Sequence, residues 1–91
     1  MLPMSEFWDQ RYTSDPSLFG DAPNDFLVSA WHHVPRGVGP VLCIGDGQGR
    51  NGVFLAQQGF DVVSVDLSPV GMRAAAALAD QRGVPLTTVA A

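Results

Sequence analysis

The hydrophobic pattern changes period near the middle of the chain. In the first part, apolar residues recur at helical spacing. Ser5 to Tyr12 predicts a short helix with Ser5 as N-cap and Phe7, Trp8 and Tyr12 along its apolar edge. Thr13 to Ala22 holds Asp15, Pro16, Gly20 and Asp21 and predicts a loop. A second helix is expected from about Pro23, where a proline suits the first turn. Phe26, Leu27, Ala30, Trp31 and Val34 then form a face to bury. Pro35 to Pro40 ends that helix and links it to the second half of the chain.

From Val41 the spacing is that of strands alternating with helices. Val41-Leu42-Cys43-Ile44 is a continuous apolar run bounded by turn residues, which predicts a strand buried on both faces. Gly45-Asp46-Gly47-Gln48-Gly49 is a glycine-rich turn, and Arg50 to Gln58 predicts a helix closed by Gly59. Asp61 to Val65 is a second, β-branched run that ends at Asp66. Ser68-Pro69 then pairs an N-cap with a first-turn proline, opening an alanine-rich helix to Arg82 with Gly83 as its cap. Leu86 to Ala90 predicts a third strand. Strands joined by helical crossovers of this length must be parallel. The expected class is therefore α/β, a βαβαβ half of a Rossmann-like fold over residues 40–91, preceded by a helical cap over residues 1–39.

Composition narrows the functional classes. A chain of 91 residues with 46% hydrophobic content suits one small globular domain. Its net charge of −4, with five arginines and no lysine, offers no basic stripe for nucleic acid. No window is apolar enough for a membrane span, and Met1 to Glu6 lacks the features of a signal peptide, so a cytoplasmic location is expected. Cys43 alone can build neither a disulfide framework nor a zinc site, and it reads as a small core residue. His32 and His33 read as a solvated helix end, and no metal site is expected.

The candidate chemistry lies where α/β folds bind ligands, beyond the carboxyl ends of the strands. Gly45, Gly47 and Gly49 let the backbone turn sharply and approach a ligand closely, with a helix N-terminus behind them. Asp66, ending the second strand, can accept hydrogen bonds from the hydroxyls of a ribose. Two frames fit. Gly47-Gln48-Gly49-Arg50-Asn51-Gly52 satisfies the dinucleotide spacing G-x-G-x-x-G, which suits NAD or FAD. In that frame the first glycine comes two residues late, because the strand ends at Ile44 or Gly45. Starting at Gly45 instead puts Arg50 where the third glycine belongs.

Val41 to Asn51, with Val65-Asp66-Leu67-Ser68, resembles the first motifs of class I S-adenosylmethionine-dependent methyltransferases, closest to the small bacterial tellurite-resistance and thiopurine branch. Phe7-Trp8-Asp9-x-Arg11-Tyr12, Phe19-Gly20 and Pro23-Asn24-x-Phe26-Leu27 resemble that branch's N-terminal cap. The resemblance implies S-adenosyl-L-methionine as cofactor and a small-molecule methyl acceptor as partner. It implies that Gly45, Gly47 and Gly49 wrap the methionine part, and that Arg50 and Asn51, opening the helix behind them, also belong to the cofactor site. Asp46 helps hold the ammonium group, Asp66 binds the ribose hydroxyls, and Leu67 and Ser68 lie along the adenosine edge. Trp8, Arg11, Tyr12 and Phe19 close over the cofactor. Methyl transfer from a sulfonium needs alignment and exclusion of water more than acid–base groups, and no catalytic constellation is visible.

The family continues past strand three, so the sequence is expected to be the N-terminal fragment of a protein of about 200 residues, inactive alone. Its first strand is then left at an open edge. The acceptor and the oligomeric state are left open. The alternatives are the dinucleotide-binding domain of an oxidoreductase and a non-catalytic half-domain that works with a partner.

Overall fold

The computed structural model describes residues 2–91. Its elements run α1 (Met4–Ser14), α2 (Asp25–Ala30), a 3-10 turn (Trp31–His33), β1 (Val41–Ile44), α3 (Arg50–Gln57), β2 (Val62–Asp66), α4 (Pro69–Arg82) and β3 (Thr87–Ala90). The strands form a parallel sheet in the order β1-β2-β3. Val41 stands opposite Val62 and Ile44 opposite Val65, while Val63 pairs with Thr87 and Asp66 with Ala90. The chain thus has the α/β, βαβαβ architecture of a Rossmann-like half-fold.

Local sequence accounts for the crossovers. Ser68 caps α4 by accepting from the Gly71 N–H at 3.0 Å, with Pro69 in the first turn, and Gly83 ends the helix at φ +69°. On the helix-covered face of the sheet, Val62 and Ser64 of β2 are buried, and Leu55, Ala56, Phe60 and Val62 make a core cluster. Leu27, Trp31, Val34, Val41 and Cys43 pack against it. The N-terminal residues therefore share the core of the βαβαβ unit.

Three expectations need correction. Ser5 is not the N-cap of α1: the helix begins one residue earlier, behind Pro3, which makes no side-chain cap. Pro23 precedes α2 instead of opening it, because Asn24 is the cap and its Oδ1 accepts from Phe26 N–H (2.9 Å) and Leu27 N–H (3.3 Å). That register turns Phe26 outward at 78% exposure, while Leu27 and Trp31 face the core. Finally, β1 is buried on one face only. Val41 and Cys43 meet the core, whereas Leu42 is 58% and Ile44 78% exposed, because α3 and α4 pack side by side on the same face of the sheet. No helix among the described residues is long and apolar enough to cross a membrane.

Candidate functional site

The turn after β1 is held at both ends. Gly45, Gly47 and Gly49 all take positive φ (+69°, +57° and +86°), which side chains rarely adopt. Gly45 N–H donates to Val65 O at 2.7 Å, anchoring the turn to β2 as the strand pairing ends. At Gly49 a Cβ would lie 2.5 Å from that of Ala75, so the small pair lets the start of α3 sit directly against α4. Around Gly45, by contrast, a Cβ would meet nothing within 4 Å, leaving its backbone open to a ligand.

The two acids of the turn have different duties. Asp46 points inward: its carboxylate accepts from Ser64 Oγ–H at 2.6 Å and from Gly52 N–H at 3.2 Å. Burial raises its pKa above the usual carboxylate value, and the hydrogen bonds from Ser64 and Gly52 only partly oppose this. Both oxygens are thus tied to the fold from the inner side of the turn, and Asp46 holds the turn in place. Gly52 is where it is because a side chain there would strike Asp46 and Ser64.

Asp66, at the carboxyl end of β2, faces the other way. Its Oδ2 accepts from Gly47 N–H (2.9 Å) and its Oδ1 from Ser68 N–H (3.0 Å). A carboxylate has about four acceptor positions, so two stay free beside these bonds. They border a cleft of about 550 Å³ lined by Trp8, Tyr12, Phe19, Ile44, Gly45, Val65, Asp66, Leu67 and Ala91. The cleft lies beyond the carboxyl ends of the strands, with aromatic rings from α1 and the following loop as its roof.

The other predicted residues divide between the cleft and its supports. Trp8, Tyr12 and Leu67 line it. Arg11 does not: it is exposed, with its guanidinium 4.6 Å from the Phe7 ring centre. It also lies 5.9 Å from the Trp8 ring centre, so it packs against the outside of the aromatic pair. Ser68 is fully buried and spends its hydroxyl on Gly71 and Asp9, so it caps α4 and cannot lie along a bound adenosine. Arg50 and Asn51 reach back to the N-terminal loop. Arg50 Nη1 donates to Ala22 O at 3.4 Å, and Asn51 Oδ1 accepts from Asn24 N–H at 2.8 Å.

Two supports went unassigned from the sequence. Gln48 clips the same loop twice, accepting from Leu18 N–H and donating to Asp15 O, each at 2.9 Å. Asp9 projects from α1 onto the start of α4, where its Oδ1 accepts from Ser68 Oγ–H and, at 3.2 Å, from Val70 N–H. A carboxylate there satisfies a free helix N–H and complements the helix dipole. The Trp8-Asp9-x-Arg11-Tyr12 stretch contained the signal for Asp9, a polar residue between two aromatic ones on a helix that must dock.

No protein-family model and no curated protein matches the chain. A solved structure from work on the conversion of a disulfide bond into a thioacetal group during echinomycin biosynthesis is similar, with 28% identity and a TM-score of 0.84. The match covers 96% of this chain and 38% of that one, so the present sequence spans well under half the length of its structural neighbour. The likeness extends over nearly all of the α/β half-fold, N-terminal helices included.

Proposed function

We propose that this chain forms the S-adenosylmethionine-binding part of a methyltransferase that acts on a small-molecule acceptor. The observation that carries the reading is the cleft itself. A glycine turn that opens directly from β1 at Gly45, a strand-end carboxylate with free acceptor positions, and aromatic rings from α1 all border one space. These residues fit the cofactor's parts. Asp66 suits ribose hydroxyls, the open backbone at Gly45 suits close approach of the amino-acid end, and the rings of Trp8, Tyr12 and Phe19 suit a sulfonium cation. S-adenosylmethionine supplies, when bound, a methyl group on an activated leaving group. The chain's own contribution is to bind, to orient and to shield the cleft from water. The structural neighbour's link to disulfide and thioacetal chemistry makes a sulfur-containing acceptor the first to test.

One observation favours the dinucleotide reading as the second. Gly52 is a buried helix glycine in close contact with the Ser64 side chain of β2, as the last glycine of G-x-G-x-x-G would be. Titration calorimetry separates the two. The protein is expected to bind S-adenosylhomocysteine and not NAD; NAD binding with no response to S-adenosylhomocysteine overturns the proposal. Asp66→Ala is expected to weaken S-adenosylhomocysteine binding by about 1–3 kcal/mol. Because Asp66 also holds Gly47 and Ser68, the unfolding midpoint is measured on the same variant.

A further inference from the structure

We infer that Gln48 is a positioning residue for the cleft, an inference that rests on the proposed role of the cleft as the ligand site. It pins the loop from Asp15 to Asn24 so that Phe19 stays over the bound ligand and slows its release. The three rings of the roof are held in different ways. Tyr12 is 6% exposed and wedged between the glycine turn and α4: a Cβ at Gly47 would lie 2.5 Å from its hydroxyl, and one at Gly71 would lie 3.0 Å from its ring. Trp8 stacks on it with ring centres 5.7 Å apart and planes 24° from parallel. Packing fixes these two rings. Phe19 is 58% exposed and has no such seat, so its place over the cleft is set by its loop.

The loop is not packed down. A cavity of about 480 Å³ separates it from α4, with Pro16, Ser17, Gly20 and Asp21 on the loop side and Ala74 and Leu78 on the helix side. What holds the loop is a row of side chains from the glycine turn and the start of α3, each bonded to loop backbone. Gln48 makes two of these bonds, with Asp15 O and Leu18 N–H at 2.9 Å each, and so grips the loop immediately before Phe19. Asn51 makes one, with Asn24 N–H at 2.8 Å, and Arg50 a longer one, with Ala22 O at 3.4 Å. The Arg50 guanidinium is 6.0 Å from the Phe19 ring centre, at the outer limit of a cation–π contact. The Arg82–Asp21 ion pair at 3.0 Å is exposed and adds little. A segment secured by a few hydrogen bonds over a void opens at lower free energy than one buried in a core. Gln48 belongs to the same turn as Gly45, which lines the cleft, so one turn both borders the ligand space and fastens its roof. A ligand held there leaves when the loop lifts.

The test follows release of S-adenosylhomocysteine by stopped flow, with the fluorescence of the cleft-lining Trp8 as signal, in the unchanged protein, Gln48→Ala, Phe19→Ala and the double variant. Gln48→Ala is expected to speed dissociation by about tenfold, the order of two ordinary hydrogen bonds, with association nearly unchanged. The double variant should dissociate no faster than Phe19→Ala alone, since Gln48 acts through that ring. Gln48→Glu keeps the acceptor for Leu18 N–H and loses the donor to Asp15 O, and its rate should fall in between. An unchanged rate in Gln48→Ala, or effects that multiply in the double variant, overturns the positioning role. In the ligand-free protein, amide exchange followed by NMR should quicken in Gln48→Ala at Gly20 and Asn24 as well as at Leu18, because the loop lifts as a unit. Quickening at Leu18 alone overturns the pinning. Failure of the unchanged protein to bind S-adenosylhomocysteine overturns the cofactor class and the retention of that ligand with it, while the exchange measurement decides the pinning independently.

Discussion

Burial takes the Asp46 carboxyl out of water, while Ser64 and Gly52 hydrogen-bond its charged form, and burial is the larger influence on its pKa. The folded protein therefore holds this proton more tightly than the unfolded chain does. Its contribution to stability grows as the pH falls into the range just above the ordinary carboxylate value of 3.8, and is lost as the pH rises through the raised folded value. Asp46→Asn removes the charge and keeps an acceptor for one of its two donors. It is expected to flatten this part of the stability–pH profile and to leave the protein at least as stable at pH 7, as read from urea unfolding at a series of pH values. A clear loss of stability at pH 7 would mean that the ionised carboxylate is worth more to the turn than its burial costs. Cys43 lies beside the same acid, and its thiol is pushed up to about 11 by burial first and by Asp46 second, so it stays protonated and unreactive at neutral pH.

Individual elements show what a sequence makes readable. The order of strands and helices was legible because hydrophobic period, caps and glycines agree locally: Ser68-Pro69 opens α4, Gly83 ends it, and the turn starts where the run Val41 to Ile44 stops. The cleft-lining roles of Gly45, Asp66 and Leu67 were legible for the same reason, since strand ends locate them. What was not legible depends on long-range placement. The contact of Asp9 with Ser68 spans 59 residues, and the local stretch that flags Asp9 as a docking residue does not encode its partner. The outward turn of Phe26 follows from which residue caps α2, and the bare face of β1 from both crossover helices lying on one side. Asp9 governs how α1 sits. Asp9→Ala removes the acceptor for Ser68 and Val70 and is expected to cost about 1–3 kcal/mol. It should also speed hydrogen exchange in α1 more than in α3, as mass spectrometry of the exchanged protein would register. Uniform loss of protection across both helices would assign Asp9 to global stability instead.

Across the whole molecule the main asymmetry is between the two faces of the sheet. One is covered by α3 and α4; on the other, Leu42, Ile44 and Val89 are exposed, and β1 has an open edge. A parallel sheet normally has both faces covered, and exposed apolar strands at an edge favour association. Leu42→Lys is therefore expected to reduce concentration-dependent light scattering with a change in stability within about 0.5 kcal/mol, the usual range for a surface site. Scattering unchanged by this substitution would show that the bare face does not drive association.

The wedge of Tyr12 between Gly47 and Gly71 joins three elements at one point. These positions are far apart in sequence, yet they share a single volume, so none can change size independently. A methyl group at 71 must displace the ring, and a smaller residue at 12 would make room for it only by giving up the phenol. Substitutions at the three sites should be strongly non-additive, each harmful alone and partly compensated in combination. In homologous sequences, then, the aromatic roof and the glycine floor of the cleft are expected to be inherited, or lost, as a unit.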